Sequence, residues 1–433
     1  MPDLNKNSNI LMYCGNGYSF GEYFKPLIKD LLIDHKICFL QGNYCLTQAT
    51  KNALEEIVCE NKGFSYQLVP VFSNDYSRIK YHKEMRELIN SLQKQIFDLL
   101  VLSTDFYLID RYLIDFARSK GIKVVIMHAN IMSPKALRIY RERSGICERI
   151  GIIKKFNRLK HRSLKALLSG VFRRFFLLVV WARNSWRNRL NYFVFPYFIS
   201  RKIFPTSSYD RFNFTSGRGD MVICYDPMNV EVLKKAVPTV KNVFLAQHPS
   251  TYYADDPTEE GKKKLLVLLG GYSVELPESQ VLFWDRSIKQ ILEKISLDEI
   301  HLRFHPRTKN YLSWPKKLID LMGRHGCRVV VVDNENTPLA EFAADFVGVI
   351  GAVSGSLCTA RSVCRGFVIG LLNASGDTNE NNWMLGSGEG ITWIRDGDEI
   401  REESLSPAYF SAVKNRQTVS GLIRRELLVG DRF

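Results

Sequence analysis

The stretch of the sequence best suited to binding phosphate is HLRFHPR at positions 301–307. Proline ends the hydrogen bonding of a strand and holds the residue before it extended, so His305 and Pro306 are expected at a strand tip. Arg303 and Arg307 would place guanidinium groups on either side of a protonatable imidazole, a combination suited to phosphate. A histidine at a strand end is also compatible with a structural role.

A second stretch, GVIGAVSGSLCTA at positions 348–360, runs from an apolar strand through small residues into a helix. Ser354, Gly355 and Ser356 are predicted at the N-terminus of that helix, where hydroxyl groups and backbone amides can accept an anion. The same serines could serve only as helix caps. Because this stretch and the histidine stretch end strands of one domain, together they predict a phosphate site.

Glycines directly follow two other predicted strands. Gly15, Asn16 and Gly17 form an expected loop on the acceptor side, and Gly270, Gly271 and Ser273 an expected part of the donor site. Glycine allows a ligand to approach the backbone closely, although a tight turn without a ligand has the same composition. The first spacing is GxGxxxG rather than the dinucleotide fingerprint, and no GxxxxGK[ST] motif occurs, which argues against a NAD site and a P-loop.

These stretches lie within two series of alternating strands and helices, which predict two parallel sheets with helices on both faces. The predicted strands are Ile10–Cys14, Ile37–Leu40, Ser65–Val71, Leu99–Leu102, Lys123–Met127, Met221–Cys224, Asn242–Leu245, Leu265–Leu269, Ile300–Phe304, Val329–Val332, Phe346–Ile350 and Val368–Leu371. The predicted helices are Thr50–Cys59, Arg78–Ile96, Leu108–Lys120, Ser279–Ile295, Pro315–Arg324, Pro338–Ala344, Leu357–Arg365 and Pro407–Leu428.

The predicted α/β architecture is two doubly wound, Rossmann-like domains that face each other across a cleft. The first domain, 1–254, would bind the acceptor, and the second, 255–405, the nucleotide. The last segment, 406–433, is expected to be a helix that packs back on the first domain. Ligands of such sheets bind at the carboxyl ends of the strands, which places the site in the cleft between the domains.

The HLRFHPR and GVIGAVSGSLCTA stretches resemble the HP and Ser/Ser motifs of bacterial sialyltransferases and polysialyltransferases, within the region Lys264–Trp393. The resemblance implies a GT-B fold and transfer of sialic acid, Kdo or a related ulosonate from a CMP-activated donor. It also implies that His305 and Pro306 meet the CMP and that Ser354 and Ser356 hold its phosphate. Related capsule-polymer transferases share these elements, so UDP-sugar and CDP-glycerol donors stay open.

The acidic triplet that supplies the general base in that family does not occur at the expected place in the first domain. The strand Lys123–Met127 is followed by His128, and capsule and glycerophosphate enzymes show a histidine at a similar strand end. His128 is therefore the predicted base, with Glu22 and Asp105 as alternative carboxylates. Because no DxD pair lies near a strand end, we expect an inverting transferase that needs no metal or other cofactor.

The net charge of +15 is concentrated in one segment. Between Arg149 and Tyr209 there are fourteen Lys and Arg and no Asp or Glu, so the rest of the chain is almost balanced. Apolar residues at helical spacing within 150–209 predict a basic amphipathic helix on an anionic membrane, although a core helix has a similar pattern. The purely apolar run Phe175–Trp181 is too short to span a bilayer. No RNA-recognition motif accompanies the charge, so nucleic acid is not an expected partner.

The cysteines and the N-terminus favour a cytoplasmic protein. Nine cysteines, an odd number without a CxxC pair, predict reduced thiols, and no signal peptide is recognised at the start. The combined hypothesis is a glycosyltransferase on the inner face of a bacterial inner membrane, acting on a lipid-linked capsule or lipopolysaccharide glycan. A nucleotide-sugar epimerase and a catalytically silent glycan-binding relative are the alternatives.

Overall fold

The computed structural model contains two separate parallel sheets with helices on both of their faces. It describes residues 8–44, 46–70, 78–103, 108–128, 219–236, 242–249, 251, 263–270, 275–304, 308, 312–332, 339–352, 354–372, 374, 390–407 and 416–430. The predicted basic segment 150–209 lies outside these residues.

The first sheet has seven parallel strands in the order β3-β2-β1-β4-β5-β6-β7. Its central strands are rich in buried apolar residues because both faces are covered by helices. The strands are β1 (Asn9–Asn16), β2 (Lys36–Tyr44), β3 (Phe64–Val69), β4 (Leu99–Leu102), β5 (Lys123–His128), β6 (Met221–Cys224) and β7 (Val243–Leu245).

The second sheet has six parallel strands in the order β10-β9-β8-β11-β12-β13. Every strand that the sequence predicts is present in one of the two sheets, with small shifts at the ends. The last described strand, β13, was not predicted from the sequence. The strands are β8 (Lys264–Leu269), β9 (Glu299–Phe304), β10 (Arg328–Val331), β11 (Gly348–Ala352), β12 (Phe367–Leu371) and β13 (Thr392–Ile394).

The helices that connect the strands fall into two groups, one on each face of each sheet. Around the first sheet the described helices are α1 (Gly17–Ser19), α2 (Lys25–Leu31), α3 (Gln48–Glu60), α4 (Arg78–Leu92), α5 (Leu108–Ser119) and α6 (Pro227–Ala236). Around the second sheet they are α7 (Glu278–Leu292), α8 (Trp314–Gly323), α9 (Leu339–Ala343) and α10 (Gly355–Val363), and the last helix of the described chain is α11 (Val419–Gly430).

The C-terminal helix α11 packs on the first sheet. Val419, Leu422 and Ile423 are buried in the same apolar cluster as the first-sheet strands, and Lys123 forms an ion pair with Glu426. The prediction of a helix from Pro407 is wrong at its start. Thr418 caps the helix instead, since its Oγ1 accepts a hydrogen bond of 3.0 Å from the amide of Gly421.

The loop predicted at Gly15, Asn16 and Gly17 is replaced by a direct change from strand to helix. Gly15 and Asn16 end β1, where the pairing with β2 shifts register between Cys14 and Asn16, and Gly17 begins α1. A π-helical turn, Phe20–Phe24, then leads into α2. Because an irregular register at a strand end redirects the chain, no separate loop is needed.

Candidate functional site

Helix α10 begins where the sequence predicts, and Ser354 is its N-cap residue. The Oγ atom of Ser354 accepts a hydrogen bond of 3.3 Å from the amide of Leu357, and its backbone is extended. Ser356 lies partly buried in the first turn, where the amides have no acceptor within the helix. Ser354 thus has a structural role, and the first turn retains the geometry that suits an anion.

Three neighbouring strands bring the described donor-site candidates of the second domain to one edge of the sheet. Arg303 on β9 pairs in register with Leu268 on β8, and Leu268 pairs with Gly351 on β11. Adjacent strands are about 4.8 Å apart, so the three strand ends lie within about 10 Å of one another. Gly270 follows β8 directly and is buried. The other donor-site candidates, Gly271, Ser273, His305, Pro306 and Arg307, lie outside the described residues.

Glycine at position 351 accommodates the close packing of the Leu357 side chain, from the first turn of α10, against β11. A Cβ atom there would lie 2.9 Å from Leu357 Cδ1 and 3.1 Å from the Cβ of Leu268. A larger residue would force the Leu357 side chain to shift and would crowd the neighbouring strand β8.

Glu22, one of the two alternative carboxylates, lies in the π-helical turn after β1 and meets the second domain. Its Oε2 atom accepts a hydrogen bond of 3.0 Å from the Thr359 hydroxyl on α10. Burial raises the pKa of Glu22 to about 7, while the Thr359 hydrogen bond and the nearby Arg303 guanidinium act in the lowering direction. A carboxylate with a pKa near neutrality can accept and release protons under physiological conditions.

The other two candidate bases are placed only in part. His128 is the last residue of β5 and pairs in register with Cys224 on β6, and its side chain is outside the described part. Since β4 lies between β1 and β5, the ends of the two strands are about 10 Å apart. Asp105 lies outside the described residues. Among the three candidates, Glu22 is the one whose side-chain contacts the structure describes, and it lies against the second domain.

A second contact between the domains was not anticipated from the sequence. Arg361 on α10 forms an ion pair of 2.9 Å, from Nη1 to Oδ2, with Asp226, which follows β6. Both side chains are almost fully buried, at 2% and 1% exposure. Asp226 stands directly beyond the predicted strand Met221–Cys224, so inspecting the residues after each strand would have found it. Arg361 carried no such signal.

An aromatic cluster lines the same contact on the first-domain side. The His248 ring lies 4.5 Å from the ring of Tyr23 and 5.0 Å from that of Tyr225, measured between centroids. Burial, with a smaller contribution from the Arg361 charge, lowers the pKa of His248 to about 3. The imidazole is therefore neutral at physiological pH and acts as a packing group here.

Comparison with known proteins shows what the chain is similar to in fold. No protein-family model and no curated protein matches it. A candidate UDP-N-acetylglucosamine 2-epimerase from Listeria monocytogenes superposes with a TM-score of 0.54 at 10% identity, covering 99% of this chain and 96% of that one. The chain has the GT-B fold. At this level of identity the likeness extends to the fold alone.

Two further solved structures are similar at lower scores. MurG of Acinetobacter baumannii has a TM-score of 0.47 at 9% identity, covering 98% of this chain and 100% of that one. MnaA of S. aureus, in a structure with UDP, has a TM-score of 0.48 at 10% identity, covering 99% and 89%.

Neither a metal-binding cluster nor a membrane-spanning helix occurs in the described part of the chain. Within it, no group of three or more His, Cys, Asp or Glu side chains is arranged to hold a metal ion. None of the described helices is both long enough and apolar enough to cross a membrane. No disulfide bond joins the cysteines of this part, which are Cys14, Cys38, Cys59, Cys224, Cys327, Cys358 and Cys364.

Proposed function

We propose that this protein is a glycosyltransferase that moves a sugar from a nucleotide donor to an acceptor hydroxyl in the cleft between its domains. The observation that carries the proposal is the position of Glu22. Its carboxyl group, with a pKa raised to about 7 by burial, is hydrogen-bonded to Thr359 and lies near Arg303. Both partners belong to the domain that carries the predicted phosphate site, so a proton acceptor and an anion site are close together.

The proposed reaction needs only groups of this chain. Glu22 accepts the proton of the acceptor hydroxyl, whose oxygen forms the new bond to the anomeric carbon as the bond from that carbon to the phosphate oxygen breaks. Arg303, Ser356 and the first-turn amides of α10 stabilise the negative charge on the departing nucleotide. Attack from the face opposite the phosphate inverts the anomeric centre, and no metal ion takes part. His305 and Arg307 complete the phosphate site in this proposal.

For the donor, we favour a CMP-activated ulosonate such as sialic acid or Kdo, because the HP and Ser/Ser motifs resemble those of CMP-dependent enzymes. The Listeria protein named above suggests UDP as the competing nucleotide. Purified protein should show a larger rise in melting temperature with CMP than with UDP or CDP, since a ligand of the native state stabilises it according to its affinity. A larger rise with UDP would reject CMP and keep the transferase proposal.

For the acceptor, we propose a lipid-linked glycan of a capsule or lipopolysaccharide, reached from the cytoplasmic face of the membrane. The support is the charge of the segment 150–209, whose thirteen Lys and Arg are unopposed by carboxylates. Positive segments of this kind bind anionic lipid surfaces. Such an enzyme would be peripheral on the membrane, with its active site facing acceptors anchored there.

Nucleotide release tests the proposed activity directly. Protein incubated with CMP-, UDP- and CDP-linked donors and a lipid-linked glycan fraction should release one nucleotide, and release should depend on the acceptor. The Glu22→Gln variant should bind the nucleotide and release almost none of it. If no donor yields nucleotide above the Glu22→Gln background, the transferase proposal is wrong.

A nucleotide-sugar epimerase is the second candidate, because the Listeria structure with the TM-score of 0.54 is described as one. An epimerase would invert C2 of UDP-N-acetylglucosamine without needing an acceptor. Following that sugar nucleotide by NMR separates the two activities. A new C2 epimer formed without acceptor would favour the epimerase.

A further inference from the structure

Helix α10 carries two side chains that reach across to the first domain. Thr359 hydrogen-bonds to Glu22, and Arg361, two residues further on, forms the ion pair with Asp226. The N-terminus of the same helix holds Ser354 and Ser356. A rigid helix of nine residues therefore connects the predicted phosphate site with both contacts to the first domain.

The buried ion pair between Asp226 and Arg361 is not explained by its contribution to the stability of the fold alone. Removing two charges from water costs free energy that their attraction offsets only with good geometry, and buried pairs can often be replaced by apolar residues without loss. Asp226 and Arg361 are almost fully buried and come from different domains. A pair of this kind discriminates strongly between domain arrangements, because separating the domains must either leave charges unpaired or expose them to water.

Glu22 is partly exposed, and within the described residues groups from several elements lie around it. From α10 it faces Thr359 and Cys358, and from β9 the Arg303 guanidinium acts on it. Its neighbour in the π-helical turn, Tyr23, lies close enough to interact electrostatically with both Glu22 and Arg361. Helix α9 also packs against this turn, and its described side chains are apolar: Leu339, Phe342 and Ala343.

We propose that Asp226 and Arg361 form an interdomain latch that holds the cleft closed over Glu22, and that both are positioning residues for it. With the latch closed, Thr359 orients the carboxylate and the second domain excludes water from it. With the latch open, Glu22 loses the Thr359 contact and becomes hydrated. The kinetic part of this inference rests on the proposed transferase function, whereas the closure itself does not.

Closure is tested by solution scattering on the full chain. The double variant Asp226→Leu/Arg361→Met removes both charges, so that no single buried charge is left to unfold the protein. We expect a larger radius of gyration than in the wild type, together with an unchanged far-UV circular dichroism spectrum. The matched control is Arg118→Met, which removes an ion pair to Asp220 within the first domain and should leave the radius unchanged.

The single variant Arg361→Lys is a milder test, since it keeps the positive charge and loses the planar guanidinium geometry that holds the ion pair. It should give a radius between those of the wild type and the double variant. If both variants keep the wild-type radius, the latch does not hold the domains and the inference is wrong, whatever the enzyme's activity.

Positioning is tested by the pH dependence of kcat/KM. In the wild type the acidic limb should follow the Glu22 pKa of about 7. Opening the latch hydrates Glu22, so the limb of the double variant should move down toward the ordinary value of 4.5. Thr359→Ala removes a hydrogen bond that favours the ionised carboxylate, so its limb should move up, and Thr359→Ser should restore it.

The acidic limb of kcat/KM is expected to move down in the double variant and up in Thr359→Ala. These opposite shifts distinguish a positioning role from a general loss of structure. A variant that is only less stable lowers kcat/KM at all pH values and leaves the limb in place, as we expect for Arg118→Met. The double variant should also lose roughly 10- to 100-fold in kcat, as misplaced reacting groups do. An unshifted limb in an enzyme whose wild type is active would overturn the positioning role, while an inactive wild type would count only against the proposed function.

Discussion

The hydroxyl of Thr359 donates a hydrogen bond of 3.0 Å to Oε2 of Glu22, and this contact joins two side chains that are 337 residues apart in the chain. Thr359 lies one turn beyond Ser354 and Ser356, on the helix whose N-terminus is the predicted phosphate site. Glu22 lies in the turn that follows the first strand of the other domain. The contact therefore links the phosphate-binding end of one domain to a carboxylate of the other.

The first prediction concerns the identity of the base. Glu22→Gln should lower kcat by at least roughly 100-fold, because an amide cannot accept the proton of the acceptor hydroxyl. The Kd for the nucleotide should change little, since the base acts on the acceptor and not on the donor. Initial rates with saturating donor, together with calorimetric titration of the nucleotide, measure both quantities.

His128→Ala and Asp105→Asn are the matched comparisons for that experiment, because each removes one of the other candidate bases. Full turnover in both variants is the expected result. If His128→Ala abolishes turnover while Glu22→Gln retains it, the histidine originally predicted from the sequence is the base and the assignment to Glu22 fails.

The second prediction separates the two serines of α10. Ser354→Ala removes the helix cap and should lower the free energy of unfolding by about 1 kcal/mol as well as weaken nucleotide binding. Ser356→Ala should weaken nucleotide binding by about 1–3 kcal/mol, the usual cost of losing a buried bond to a charged group. The melting temperature of the Ser356→Ala apoprotein should stay near that of the wild type.

Thermal melts of both variants, with and without nucleotide, provide the measurement. Ser354→Gly is a useful control because glycine is tolerated at a cap position. Nucleotide affinity that is unaffected by Ser356→Ala would mean that the first turn of α10 does not bind the phosphate.

The third prediction is a pH dependence of stability caused by Glu22. Its pKa is raised from 4.5 to about 7 on folding, so between these values the native state holds a proton that the unfolded chain has released. The free energy of unfolding should therefore fall as the pH rises through this interval, by about 1.4 kcal/mol for each unit of the shift.

Glu22→Gln has no such group and should lose this part of the pH dependence. Melting curves at pH 5 and pH 8 should give the variant a melting temperature that rises relative to the wild type at the higher pH, by about 2–4 °C per kcal/mol for a domain of this size. A difference that is the same at both pH values would show that Glu22 titrates near its ordinary pKa.

The fourth prediction concerns the basic segment. Liposomes rich in anionic lipid should co-sediment the protein at low salt, since each Lys or Arg near the surface contributes about 1 kcal/mol and salt screens the attraction. Deleting Phe156–Asn188 should abolish the binding while leaving the melting temperature of the remaining protein similar. If co-sedimentation depends neither on the salt concentration nor on the charge of the lipid, the segment is part of the protein core and not a membrane-binding element.

The strands and most of the helices were predictable because their signals are local. Runs such as Leu99–Leu102 are continuous in apolar residues, and a strand buried on both faces needs no other information. The start of α11 was missed because apolar spacing continues upstream of the Thr418 cap. The change from β1 directly into a helical turn was missed because glycines are equally typical of a loop.

The sequence by itself determined the two α/β domains, the strand ends at which chemistry is expected, the serine cap of α10 and the single basic segment. Only the tertiary structure decided that Glu22 meets the second domain, and that Asp226 pairs with Arg361 across 135 residues of chain. The physical reason is that strand order and the approach of the two domains bring such side chains together. Strand order and domain approach do not depend on the local spacing of residues. The sequence around Asp226 or Glu22 therefore does not indicate which side chain it will contact.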